Sequence, residues 1–307
     1  MTALPELSFS VFQRLQPAEY QKRFLAQHVR PDGRGLDEAR PTALTMGAIS
    51  TADGSALVRM GGTTVVVGIK AEVGVPPMDR DNVGWIVPNL ELAPICHPSA
   101  RPGPPSTFAQ VCSHRLYEIL INENAPVIDL KDLCVEQGKA CWVLHIDAVC
   151  LALDGSVLDA ALLGMVAALK NLRLPEVIYD DETVTVANPE DGQEEPPKTA
   201  LNLHHLPLSS SFAIIPAEDT RTSSASSPHM LLDPTTDEEE LTEQRLWVVL
   251  DAKSEELLCI QRLAGWVEGA DARCTGTGGT VSMDVIKKAI SQAKERATYL
   301  QALLGDF

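Results

Sequence analysis

No apolar run in this chain of 307 residues approaches the roughly 18 residues that a membrane-spanning helix needs. The opening stretch, MTALPELSFSVFQRLQ, lacks the basic flank and apolar core of a secretory signal. A cytosolic or nuclear protein without membrane contact is expected. The seven cysteines (Cys96, Cys112, Cys134, Cys141, Cys150, Cys259 and Cys274) contain no C-x-x-C pair, the spacing that marks zinc ribbons and redox couples. Their number is odd and most lie inside apolar stretches such as CWVLHIDAVCLAL, so they read as free buried thiols packing as small hydrophobes.

An excess of basic residues is also missing. The net charge is −17, and it is uneven: residues 1–175 carry 15 Lys+Arg against 18 Asp+Glu, while residues 176–307 carry 10 against 24. Such a body repels phosphate backbones, so bulk charge cannot recruit nucleic acid. Any such contact must come from a local patch, expected in the N-terminal half, or from neighbouring subunits. What is present is an ordinary globular composition, 45% apolar and 22% charged. A chain of this length buries about three quarters of its unfolded surface, as one large domain or two smaller ones.

Residues 9–29 read as a helical arm with Phe12, Leu15, Tyr20, Phe24 and Leu25 on its apolar side, and Pro17 starts or breaks a segment. A turn-rich connector, RPDGRGLDEARP, follows at 30–41. Strands are expected over 42–50, 56–60 and 63–73, the last with Val65, Val67, Ile69, Ala71 and Val73 alternating. Asp53-Gly54 and Gly61-Gly62 mark the hairpins between them. Residues 74–105 are proline-rich and loop-like, and helical spacing returns at 106–122. The run 141–153 is apolar on both faces, as in a central strand. A tight Asp154-Gly155 turn then leads to a helix over 156–172.

The second half resembles the first in outline, with strands near 183–187, 201–206, 211–215, 245–251 and 256–263 and an amphipathic helix over 282–304. Two polar segments, 187–200 and 216–229, read as exposed, disordered insertions. The element order defines an α+β sandwich and not a doubly wound sheet. The divisions expected are an arm and connector (1–40), a first domain (41–175) and a second domain (176–307).

Little of this carries recognisable chemistry. TGTGGT (275–280) lacks P-loop spacing and reads as a flexible turn. Cys96-His97, Cys112 with His114, and His204-His205 are metal-capable types at no metal-ligand spacing, so no metal or cofactor is expected. No G-x-S-x-G element supports a serine hydrolase. His145 and Asp147 share one face of the central strand and Asp154 caps its end. Carboxylates there could act as general acids or bind a metal, but a backbone-satisfying and turn-making role is the stronger reading. The acidic run DPTTDEEELTEQ (233–244) reads as a solvated loop.

Several long segments, in order, are similar to the RNase PH superfamily: RPDGR (30–34), ISTADGSALVRMGGTTVVVGIKAEV (49–73), GPP (103–105), GKACWVLHIDAVCLALDGSVLDAALLGMVAALKNLRLPEV (138–177) and LLDPTTDEEEL (231–241). The resemblance implies the RNase PH fold (ribosomal protein S5 domain 2-like), with two related β/α halves packed together. Catalytic members of the superfamily grip phosphate with an arginine in a G-E-R-T-like segment and carry an aspartate in a Q-A-D-G-G-T-R-like one. Here those places hold GKAC and LALDGSVLDA, no arginine occurs between Arg115 and Arg173, and Val157-Leu158 replace the T-R. Asp154 sits in the aspartate column as a vestigial candidate.

A lysine cannot copy the bidentate grip of arginine on an oxyanion, and each lost electrostatic clamp costs about 10²–10³-fold in rate. The resemblance is closest to the non-catalytic exosome lineage. It implies a six-membered ring of RNase PH-like subunits with S1/KH caps, RNA threaded through its channel, and residence in nucleus, nucleolus and cytoplasm. An active phosphorolytic 3′-to-5′ exoribonuclease is the alternative. Two arginines of archaeal relatives are replaced by His114 and Glu118, leaving Arg101, Arg115 and Lys139 as local cations for RNA.

Overall fold

The computed structural model describes residues 9–76, 80–98, 100–122, 125–175, 177–180, 183–186, 198–215, 228–242, 244–264 and 281–305. TGTGGT at 275–280 and most of the two polar insertions lie outside the described residues. The arm is two helices, α1 (Phe9–Leu15) and α2 (Pro17–Leu25). Pro17 opens α2, where its missing N–H is one that a helix leaves unbonded anyway. Tyr20 packs edge-on against Phe12, and Leu25 docks on Ala213 and Leu231 of the second half.

The first sheet comprises β1 (Thr42–Met46), β2 (Gly54–Met60), β3 (Thr63–Gly74), β4 (Trp85–Leu92), β5 (Cys134–Glu136) and β6 (Ala140–Ala152). Its order is β1-β2-β3-β6-β4, with β5 also paired to β6. β4 runs parallel to β6, joined through helix α3 (Thr107–Leu120) and a 3-10 turn at Leu130–Leu133. Ser106 caps α3 by accepting the Ala109 amide.

β4 corrects the loop expected over 74–105. Pro88 argues against a strand interior, but an edge strand tolerates it, and Ile86, Pro88 and Leu90 alternate inward. A second correction concerns β6. Leu144, Ile146, Ala148 and Cys150 are buried, but Asp147 and Leu151 are exposed and Val143, His145 and Val149 only partly covered. The strand is central in the sheet yet buried on one face only.

Helix α4 (Val157–Asn171) follows, and every residue from Val157 to Leu169 is buried. Apart from Asp159 this stretch is apolar all round, so it must be covered all round. β2 and β3 cover one side and β11 another. The second half contains β7 (Arg173–Pro175), β8 (Val177–Asp180), β9 (Thr183–Val186), β10 (Lys198–Ala200), β11 (Pro207–Ile215), β12 (His229–Leu232), helix α5 (Thr236–Leu241), β13 (Gln244–Asp251), β14 (Leu257–Ala264) and helix α6 (Met283–Gly305). Four of these strands form a sheet ordered β12-β11-β13-β14. Phe212, Trp247, Leu300 and Leu304 join the α4 residues in one core, so the α+β expectation holds.

Residues 201–206 are not a strand, although one was expected there. The segment is held instead by individual bonds, His204 N–H to the Val127 carbonyl and Leu206 N–H to Asp251. The described C-terminal ends of the two polar insertions take part in sheets. Lys198–Ala200 pairs with β7, and His229 begins β12.

Candidate functional site

The end of β6 is the natural place to look, because the strand delivers Asp154 to a turn at the start of the buried helix. The Asp154 amide donates to Thr63 Oγ1 at 3.0 Å, and the Thr63 hydroxyl donates to the Gly155 carbonyl at 2.7 Å. Thr63 begins β3, so the β2–β3 hairpin is stitched to this turn. A Cβ at Gly62 would stand 2.6 Å from Asp154 Oδ2, and one at Gly61 would stand 2.4 Å from Arg40 Cδ. The glycine pair that signalled a hairpin therefore also makes room for a carboxylate and a guanidinium.

Arg40 is the residue that the sequence reading missed. Its Nη1 lies 3.2 Å from Asp154 Oδ2 and also donates to the Asp154 carbonyl oxygen. The same guanidinium makes a two-pronged grip on Asp233, Nε to Oδ2 at 2.9 Å and Nη2 to Oδ1 at 2.7 Å, and the Arg40 amide adds a third bond at 2.9 Å. Asp233 is fully buried. Burial pushes its carboxyl up, but the Arg40 bonds and the charges of Arg296 and Arg40 reverse this and hold it well below the usual carboxylate range.

Asp233 opens the acidic run that was expected to be a solvated loop. The run instead forms α5, begun by a capping box between Thr235 and Glu238. Glu238 is buried 3.7 Å from the buried Arg30, and Glu239 lies 2.7 Å from Arg245. Arg34 and Arg296 approach Asp233 at 3.8 and 4.0 Å. Charged side chains are buried almost only in pairs, and Arg30 with Glu238 and Arg40 with Asp233 lie some 200 positions apart in the chain, where local pattern cannot reveal them.

Two further contacts complete the turn. The Ser156 amide donates to Glu239 Oε1 at 2.8 Å and its hydroxyl to the Pro234 carbonyl at 3.2 Å. One turn into α4, Asp159 accepts from Ser209 Oγ and the Ser211 amide, each at 2.7 Å, and from Trp247 Nε1 at 3.0 Å. Burial pushes the Asp159 carboxyl up, against the pull of Arg296 and Ser209.

The remaining candidates do not gather here. His145 and Asp147 lie on the outer face of β6, near Glu72 at 3.9 Å and Asn89 at 3.4 Å respectively. His114 pairs with Glu118 at 3.4 Å. Lys139 bonds Glu136 at 2.9 Å in the turn before β6. That is the opposite end from Asp154, about 40 Å along a 13-residue strand. Arg101 is exposed in the connection preceding α3, and Arg115 is half-buried on that helix. No cluster of three or more metal-capable side chains occurs among the described residues.

Chemically, the turn offers one half-exposed carboxylate whose neighbouring guanidinium is already committed to another. Residues 38–175 match the model of the 3′ exoribonuclease family, domain 1. Together with the near full-length relative below, this shows that the chain belongs to the RNase PH family.

Exosome complex component rrp43 of Schizosaccharomyces pombe is 37% identical over 269 residues, 86% of this chain and 92% of that protein. Exosome complex component Rrp42 of Methanopyrus kandleri is 37% identical over 233 residues, covering 76% of this chain and 79% of that one. Among solved structures, a chain of the Archaeoglobus fulgidus exosome with RNA bound to the active site superposes with a TM-score of 0.73 at 27% identity, over 92% of this chain and 96% of that one.

Proposed function

We propose that this chain is a non-catalytic ring subunit of an RNA exosome, supporting 3′-to-5′ RNA processing and degradation by helping to build the channel. What supports this reading is that GKAC (138–141) stands in the place of the family's phosphate-gripping arginine, with Lys139 there bonded to Glu136 at 2.9 Å. Phosphorolysis brings inorganic phosphate against a phosphodiester, so two anions need free cationic donors at one place. The likeness to rrp43 over nearly the whole of both chains supports the exosome assignment.

The partners that fit this role are other RNase PH-like subunits, S1/KH cap proteins and RNA in the assembled channel, with residence in nucleus, nucleolus and cytoplasm. Arg101, Arg115 and Lys139 are the proposed RNA-facing cations, and the −17 net charge means that they act locally.

The test incubates the full chain with single-stranded RNA, phosphate and magnesium. No nucleoside diphosphate is expected. Its release, abolished in Asp154→Asn, would establish the alternative of an active phosphorolytic exoribonuclease. Mass determination of the intact assembly purified through this chain tests the ring itself, and recovery of the chain without RNase PH-like companions would remove it.

A further inference from the structure

CVEQGKAC (134–141) begins and ends on cysteine, and the fold brings its two ends together. Cys134 of β5 stands directly opposite Cys141 of β6 in an antiparallel pair, with a turn at Gly138 between them. Opposed residues project from the same face of a ladder. Both thiols therefore lie on the outer face of the first sheet, which Cys141 shares with Val143 and His145. Such a pair holds its Cα atoms about 4.5–5.5 Å apart, inside the roughly 4.4–6.8 Å that a disulfide spans. The Cβ atoms need to close by about 1 Å. β5 can supply that movement, being three residues long with its register shifted between Cys134 and Glu136.

The two thiols differ in what can reach them. Cys134 is partly exposed, whereas Cys141 is buried and its Sγ donates to the Gly74 carbonyl at 3.5 Å. Burial pushes the Cys141 thiol up, and its nearness to Cys134 adds to the rise. Cys96 and Cys150 also neighbour each other, but both are buried, and burial pushes Cys150 up to about 12. Burial does the same to Cys112. Thiols of that kind pack as small hydrophobes and stay inert. Cys259 is partly exposed, but the residue opposite it is Val249.

We propose that Cys134 and Cys141 form a reversible disulfide site, open to hydrogen peroxide through Cys134. The Cys134 thiolate attacks a peroxide oxygen, and the O–O bond breaks to leave a sulfenic acid and hydroxide. The Cys141 sulfur then attacks Cys134, so that an S–S bond forms as the S–O bond breaks. Two electrons pass from the pair to the peroxide, and the thiol protons complete two waters. The bridge ties β5 to β6 at the base of the turn that carries Lys139. It does not depend on the ring assignment.

The test treats the full chain with hydrogen peroxide, blocks the remaining thiols with iodoacetamide and digests with trypsin. Cleavage after Lys131, Lys139 and Lys170 puts Cys134 and Cys141 on separate peptides. The bridge then appears by mass spectrometry as a linked pair, two hydrogens lighter than the sum and released by dithiothreitol. Cys150 travels with Cys141, and Cys141→Ser decides between them. In that variant the linked pair is lost and dimedone traps the Cys134 sulfenic acid. Cys96 and Cys112 remain reduced in the folded protein.

Should the serine variant fold poorly, chymotryptic cleavage after Trp142 separates Cys141 from Cys150 in the wild type. Cys134 that stays open to alkylation after peroxide overturns the proposal, and so does its linkage to any other cysteine. Cys134 carried on to sulfinic acid beside a reduced Cys141 also refutes it, because the thiol opposite has then failed to resolve the first product.

Discussion

Asp251 holds a segment that has no ladder of its own. Its carboxylate accepts the Leu206 amide at 2.9 Å, the Lys253 amide at 3.1 Å and the Ser254 hydroxyl at 2.9 Å, and His205 Nδ1 lies 2.8 Å away. Burial opposes ionisation there, but these partners overrule it and bring the carboxyl from an ordinary 3.8 to about 2. A carboxyl depressed in the folded state adds stability above its unfolded value, and that stability is lost as pH falls through the folded one. Asp251 therefore contributes on the order of 2 kcal/mol at neutral pH, fading between about pH 4 and pH 2. Asp233, lowered by Arg40 and Arg296 against its burial, acts in the same direction. Urea melts of Asp251→Asn are expected to show lower stability than wild type at pH 6 and a shallower loss on acidification to pH 3. Equal pH slopes for the two proteins would show that Asp251 is not a site of acid sensitivity.

Elements differ in how plainly the chain announces them. β3 and α6 were legible because period-2 and period-3.6 patterns need no distant partner, and α4 because the Asp154-Gly155 turn opens it and Pro175 bounds it. β4 was not, since Pro88 hides its alternation unless the strand is known to lie at an edge. α5 was not, because DPTTDEEEL looks solvated until Arg30, Arg40 and Arg245 are brought beside it. The candidate site divides in the same way. Asp154 could be read from its place after β6, whereas Arg40 and Glu239 belong to the site through tertiary contact alone. The turn joining β6 to α4 is where these elements meet, and Gly155 is its tightest point. Its φ is +77°, and a side chain would meet the Pro234 carbonyl and the Thr235 backbone. Gly155→Ala combines a left-handed backbone with backbone-to-backbone crowding, so a loss of about 2–4 kcal/mol is expected. Thermal melts check this. A variant within about one degree of wild type would mean that the 233–235 connector gives way easily.

For the molecule as a whole, the decisive features are an open sheet face and a net charge of −17. One face of the first sheet packs on α4. On the other, Trp85, Val87 and Leu151 are exposed, with Val143 and Val149 only partly covered. β4 ends the strand order, with Ser113 of α3 bonded to Leu90 on its outer edge. Exposed apolar side chains on a sheet that also ends in an edge strand favour association with another chain. Like charge disfavours a second copy of this one, whereas a more basic neighbour is attracted and correctly oriented by the same field. The ring reading supplies RNase PH-like neighbours, related to this chain but different from it. Expressed alone, the protein is expected to aggregate or to persist as a poorly stable monomer or dimer. Co-expression with the partner set is expected to raise its melting temperature and remove the aggregates. Replacing Trp85 and Leu151 with polar residues, away from the α4 core, should improve solubility of the lone chain while weakening recovery with partners. Light scattering and thermal melts on the chain alone and co-expressed decide the matter. A highly stable monomer that ignores every RNase PH-like partner would refute the scaffold role, because a ring subunit whose exposed sheet face needs no cover has no physical reason to join a ring.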